Sequence, residues 1–165
     1  MRIRALVVVS IVVVSSAAAT APASAAGTWA WPVSGPVIRA FDPPDSPYGA
    51  GHRGIDIAAP AGSIVVAPAD GRVAFAGPVG GRLFLTIDHS GGLESTFSWV
   101  SSLTVRKGDL VQRGQSVARS GAGHTGDLLP NLHVGVKLDD VYVDPLDYLE
   151  PADIAGWLRL APVSG

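Results

Sequence analysis

Beyond its first 26 residues the chain is a succession of short apolar runs broken by glycine and proline. Val37 to Phe41, Ile64 to Ala67, Arg72 to Ala76, Arg82 to Ile87, Glu94 to Ser98, Ser116 to Arg119 and Leu132 to Val136 are rich in β-branched and aromatic residues. Turn signals such as Ala69-Asp70-Gly71 and Ser90-Gly91-Gly92 bound them, so they read as strands. Between Trp31 and Asp144 no window carries a helical period. The pattern predicts an all-β domain, an antiparallel sandwich or open barrel. A short C-terminal helix is expected after Pro151, over Asp153 to Leu160, because proline suits a first helical position. Val105 to Val111 and Gln112 to Val117 form a near-repeat with Gly108 and Gly114 six apart, which suggests a tight hairpin with both glycines at positive φ.

The opening residues follow a different rule. Arg2 and Arg4 precede an apolar run from Ala5 to Val14, and Ala23-Ser24-Ala25-Ala26 offers an A-x-A-like cleavage site. That is the layout of a secretory signal peptide over residues 1–26. The run is half the roughly 20 residues that a spanning helix needs, so no stable membrane anchor is expected after cleavage. Residues 27–150 then form one domain and residues 151–165 a tail. The remaining stretch, about 140 residues, is long enough for a single core. Without Arg2 and Arg4 there are 10 basic against 14 acidic residues, a formal charge of −4. With no basic patch, nucleic acid is not an expected partner. The chain has no cysteine, so no disulfide supports an exported fold.

Its chemistry must centre on His52, His89, His124 and His133. His52 and Asp56 lie four apart in Gly51-His52-Arg53-Gly54-Ile55-Asp56-Ile57, a poor helix with two glycines and two isoleucines. In a straight strand they share a face but stand roughly 13 Å apart. A bend at Gly54 would bring them together. Two histidines and a carboxylate are a familiar catalytic zinc set, although H-x-x-x-D alone fits a surface histidine and a solvated aspartate as well. His89 follows a strand and is expected to cap its turn. Trp29 and Trp31 are expected to pack under the sheet rather than to serve as exposed contacts.

The wider pattern adds to this. His52 to Gly62 closely resembles the H-x-G-x-D-x-A-A-P-x-G signature of the lysostaphin-type (LytM-like) zinc peptidases. The resemblance continues in order through Ala67-Pro68-Ala69-Asp70-Gly71-Arg72-Val73, Thr86 to Gly92, Val105 to Gln115, Leu132-His133 and Val143-Asp144-Pro145. It covers residues 33 to 149. It implies the family's all-β fold, a zinc cofactor held by His52, Asp56 and His133, and an extracytoplasmic protein directed at peptidoglycan peptide cross-links in the bacterial cell wall.

Two positions depart from that family. Its Y-x-H-L stretch corresponds to Phe97-Ser98-Trp99-Val100, so Trp99 stands where a catalytic histidine belongs. Asn131 stands at the first position of its H-x-H. Tryptophan donates a hydrogen bond but takes no proton, and asparagine polarises a carbonyl but is no base. Each lost general acid–base group typically costs about 10²–10⁴-fold in rate. Asn131, and His124 in the loop Gly121 to Gly126, are the candidate substitutes. Two expectations therefore stand: a zinc endopeptidase, or a degenerate member that binds wall peptides or activates a partner cell-wall amidase. A lipoyl- or biotinyl-carrier domain, suggested by the G-D-x-V-x-x-G-Q segment, fails because no lysine sits at a hairpin tip with a carrier's flanking residues.

Overall fold

The computed structural model describes residues 28–46, 49–123 and 128–151. The leader, His124 and the helix expected after Pro151 lie outside the described residues. The strands are β1 (Val37–Arg39), β2 (Ile55–Ala58), β3 (Ile64–Val66), β4 (Gly71–Val79), β5 (Arg82–Asp88), β6 (Leu93–Val100), β7 (Ser102–Leu103), β8 (Leu110–Val111), β9 (Ser116–Arg119), β10 (Asn131–Leu138) and β11 (Val141–Val143). All pairings between them are antiparallel. One sheet runs β1-β2-β10-β6-β5-β4-β8, with β11 on β10, and a smaller one runs β3-β9-β7. The fold is thus all-β, as the turn-punctuated pattern predicts, and strands occur in each of the seven stretches expected. Ile55–Ala58, Ser102–Leu103, Leu110–Val111 and Val141–Val143 are additional.

Alternation divides the large sheet into two faces. Ile55 and Ile57 on β2, Leu132 and Val134 on β10, Phe97 on β6 and Leu85 and Ile87 on β5 are buried in one apolar cluster. Val65, Val117 and Ala118 of the small sheet join the same cluster. The residues between them, Asp56, Asn131, His133, Ser98 and Thr96, take the opposite face. Asp56 sits opposite His133 across the β2–β10 pair, and His133 sits opposite Ser98 across the β10–β6 pair. A slip of one residue in either pair would exchange Asp56 or His133 for a core aliphatic, so apolar burial fixes the register of the polar face.

The near-repeat is not a hairpin. β8 pairs with β4 in the large sheet, while β9 pairs with β3 and β7 in the small one. It is instead the same turn built twice. Asp109 N–H donates to Arg106 O and Gln115 N–H to Gln112 O, with Gly108 (φ 94°) and Gly114 (φ 81°) third in each turn. A positive φ there is what a type II turn requires. The Asp109 and Gln115 side chains accept from Arg106 N and Gln112 N at 2.9 and 3.0 Å. Each turn also exchanges two backbone hydrogen bonds with one distant residue, the first with Val73 and the second with Ala67. Aspartate and glutamine are thus equivalent after the glycine because each folds back on its own turn.

Further ties close the domain. Trp29 is buried and bridges Leu149, the half-buried Trp31 donates through Nε1 to Glu150 O, and Arg113 pairs with Glu150. Packing is therefore the use of both tryptophans. His89 does not cap its turn. Its Nδ1 donates to Asp70 O at 2.9 Å and its Nε2 accepts from the Ser95 hydroxyl at 2.8 Å, with the Trp29 ring 4.6 Å from its own. No helix among the described residues is long and apolar enough to cross a membrane.

Gly54 lies where β2 enters beside β10, and a Cβ there would collide with the Val134 carbonyl. Gly54→Ala should therefore cost about 1–3 kcal/mol in denaturant unfolding. Gly77→Ala, whose Cβ would meet only the Phe75 ring at 3.6 Å, should stay within about 0.5 kcal/mol of wild type. Burial pushes the His89 imidazole below its usual 6.5, against the opposing pull of Asp70 and Asp88. The unfolded chain then takes up this proton at a higher pH than the folded one. The stability linked to a neutral ring is complete above pH 6.5 and is lost as pH falls through the folded-state value. A denaturant-midpoint series across this range should fall on acidification, and His89→Gln should flatten the slope.

Candidate metal centre

His52 precedes β2, bridged to Asp42 by reciprocal backbone hydrogen bonds. The chain bends at Arg53 and Gly54 before β2 begins. The bend replaces the long separation of a straight strand with a contact: His52 Nε2 lies 3.1 Å from Asp56 Oδ1. From β10, His133 Nδ1 lies 2.8 Å from the same oxygen and 3.1 Å from His52 Nε2. The three atoms belong to a group able to hold a metal ion, all within 4.8 Å of one another. His52 is 4% exposed and Asp56 2%, while the His133 side chain, at 14%, marks the open side.

The donor chemistry fits zinc. Ala40 O lies 2.7 Å from His52 Nδ1, and a carbonyl only accepts, so Nδ1 carries the proton and Nε2 presents its lone pair to the cluster. A hydrogen bond on the far nitrogen is the usual way a ligating imidazole is oriented. Two imidazole nitrogens and one carboxylate oxygen make a three-ligand set with a position left over. Their separations fall a few tenths of an ångström short of the roughly 3.4 Å edge of a tetrahedral zinc site. Nothing in the sequence marks Ala40, because a backbone carbonyl has no residue-type signal.

Of the other sequence candidates, Asn131 is among the described residues. Asn131, 1% exposed, begins β10 on the same face as His133. Its Nδ2 donates to Leu129 O at 3.1 Å, and its side chain packs so closely on Gly123 that a Cβ there would meet Nδ2 at 2.5 Å. His124, the next residue, is outside the described residues.

Trp99 follows Ser98, the β6 partner of His133. In the β5–β6 ladder Leu83 pairs with Val100 and Phe84 with Ser98, so Trp99 is the extra residue of a bulge. Its φ is 58°, in the left-handed region that glycine usually occupies in such a bulge. The Gly121 backbone passes so close that a Cβ there would collide with Trp99 O. Trp99 is one of the residues lining a cleft of about 410 Å³, together with Arg82, Leu83, Ser101, Gly121 and Gly123, among others. The Arg82 guanidinium carbon lies 4.9 Å from the centre of the Trp99 ring. Arg82 opens a strand whose motif residues begin only at Thr86, so sequence reading passes it over.

Comparison with known proteins places these features in a family context. The model of peptidase family M23 matches residues 50–145. A relative named murein hydrolase activator NlpD, from Salmonella dublin, is 36% identical over 137 residues, 82% of this chain and 34% of its own length. The chain thus spans about a third of that relative. Among solved structures, Helicobacter pylori Csd3 superposes with a TM-score of 0.65 at 30% identity, over 77% of this chain and 36% of that one. A zinc-containing peptidase from Vibrio cholerae superposes with a TM-score of 0.60 at 28% identity, over 77% of this chain and 41% of that one.

The left-handed backbone at Trp99 gives a stability test. A side chain there carries about 1–2 kcal/mol of steric cost that glycine does not. Trp99→Gly should therefore be more stable than Trp99→Ala by about 1 kcal/mol in denaturant unfolding, the reverse of the usual order in a strand.

Proposed function

The chain belongs to peptidase family M23, and we propose that it is an exported, zinc-binding member that engages peptidoglycan peptides without the family's proton-transfer machinery. In this reading residues 1–26 direct export, residues 27–150 are the working domain and residues 151–165 a tail. The role is that of a wall-binding module or an activator of a partner cell-wall amidase. The observation that carries it is Trp99: an indole that can donate a hydrogen bond but accept no proton stands where the resemblance puts a histidine. The name of the relative, murein hydrolase activator, points the same way.

His52, Asp56 and His133 would hold the ion, with Ala40 O fixing the His52 tautomer. Zinc bound there would supply Lewis acidity toward a peptide carbonyl. Asp56 balances the ion's charge from a buried position, and His133 faces the open side where a peptide would approach. Asn131 spends its Nδ2 on Leu129 O and anchors the loop beside β10. No side chain of this described set is placed to take a proton from a nucleophile and return it to a leaving amine. Two missing acid–base groups at about 10²–10⁴-fold each leave little hydrolysis.

A second reading, cleavage of peptide cross-links, is favoured by the ligand set, in which all three donor atoms converge. It would call on His124 or Asn131. The two readings separate in one experiment. Zinc-loaded wild type and His133→Ala are assayed for metal content and for muropeptide release from cross-linked peptidoglycan. The expected result is about one zinc per wild-type chain, at least tenfold weaker zinc retention in His133→Ala, and no release by either. Release by wild type alone would overturn the non-hydrolytic reading in favour of the peptidase. Equal zinc in both samples would overturn the metal assignment.

A further inference from the structure

The cleft beside the metal cluster has no part in holding an ion, yet it is built from costly pieces. Its walls come from Gly81 with the start of β5 (Arg82 and Leu83), the end of β6 with Ser101, and Gly121 to Gly123. We propose that Arg82 and Trp99 form a subsite for the free carboxylate of a peptide; this rests on the wall-peptide reading above and names what that peptide must carry.

Several observations converge on a carboxylate. Arg82 is the cation in the described lining, and no described lining residue is acidic. The chain beyond its first 26 residues carries a formal charge of −4, so a carboxylate reaching this surface meets general repulsion and needs a local cation. Guanidinium is the group best shaped for carboxylates, since its forked N–H edge donates to both oxygens. Contact with an indole engages the face of a guanidinium rather than that edge, and so fixes its direction. The opposite wall, Gly121-Ala122-Gly123, has almost no side-chain bulk, which admits a peptide backbone and small side chains.

The bulge supplies an independent observation. Placing a tryptophan at φ 58° is unfavourable, and a bulge redirects its side chain. The redirected indole is the surface over which Arg82 lies. Ser98, the residue before it, is the sheet partner of His133, so cleft and cluster are one strand position apart. A peptide whose carboxylate sits on Arg82 would run along the polar face toward His133.

The test is calorimetric titration of the purified protein with diacetyl-Lys-D-Ala-D-Ala and with its C-terminal carboxamide. Wild type should bind the acid roughly tenfold or more tightly than the amide, the ratio expected of charge-assisted hydrogen bonds. Arg82→Gln should bring the acid down to the level of the amide. Arg82→Lys should keep part of the preference, and Trp99→Ala should weaken it. Arg82 is exposed, so the two Arg82 changes should leave the thermal midpoint in place, which the same samples report. Carboxylates also ligate zinc directly. The His133→Ala protein, stripped of metal, should therefore keep the preference if Arg82 is its source. Equal binding of acid and amide by wild type, no binding of either, an unchanged preference in Arg82→Gln, or loss of the preference in metal-free His133→Ala would each overturn the proposal. Zinc content and muropeptide release report separately on the metal-centre reading.

Discussion

Asp56 puts a carboxylate into the middle of a sheet at 2% exposure, and the surrounding architecture answers that one placement. An ionised group there is costly by several kcal/mol unless it is met by donors or a cation. Ile55 and Ile57 on either side lock β2 to the core, so Asp56 has no choice of face. β10 supplies His133 directly opposite. His52 arrives from outside the strand, through a bend that needs a residue without a side chain at position 54, because the Val134 carbonyl occupies that space. The Ala40 carbonyl then settles which His52 nitrogen faces inward. Register, bend and tautomer are three consequences of one buried charge.

This chain of causes explains what was legible in the sequence. The motif around His52 points to His52 and Asp56, and Gly54 marks the bend, because both are local; His133, 81 positions after His52, comes only from the family resemblance. Ile55–Ala58 does not read as a strand because four residues between a glycine-rich segment and Ala59-Pro60 give too short an alternation. The near-repeat at Val105–Val117 misled for a related reason. Its glycines and its Asp109 and Gln115 side chains specify two type II turns, which is local information. The partners of the flanking strands, β4 and β3, lie tens of residues away, and no local pattern names them. His89 was read as a cap because it follows a strand, yet its hydrogen bonds go to Asp70 and Ser95, a choice made by packing against Trp29.

Trp99 lies at the limit of sequence reading. Its identity bears on proton transfer only through the family resemblance, since indole cannot replace imidazole as a proton acceptor. Its backbone conformation, and hence where the indole goes, depends on a bulge set by how β5 and β6 meet. Only the fold brings the indole to Arg82, 17 positions earlier in the chain. A substitution that reads as loss in one dimension is, in three, the wall of a cleft.

Stability alone favours neither feature. A buried aspartate between two imidazoles can often be replaced by well-packed apolar groups with no loss, or with a gain. A left-handed bulge position is cheapest as glycine. A chain selected only to fold would have reason to discard both, and local rules broken without a structural gain are where function is to be sought. Here the two breaches adjoin along one strand pair, joined through Ser98 and His133. The metal cluster would polarise or grip a peptide, and the cation beside the indole would hold its charged end. That division of labour would suit the proposed recognition of a wall peptide through both ends of one groove.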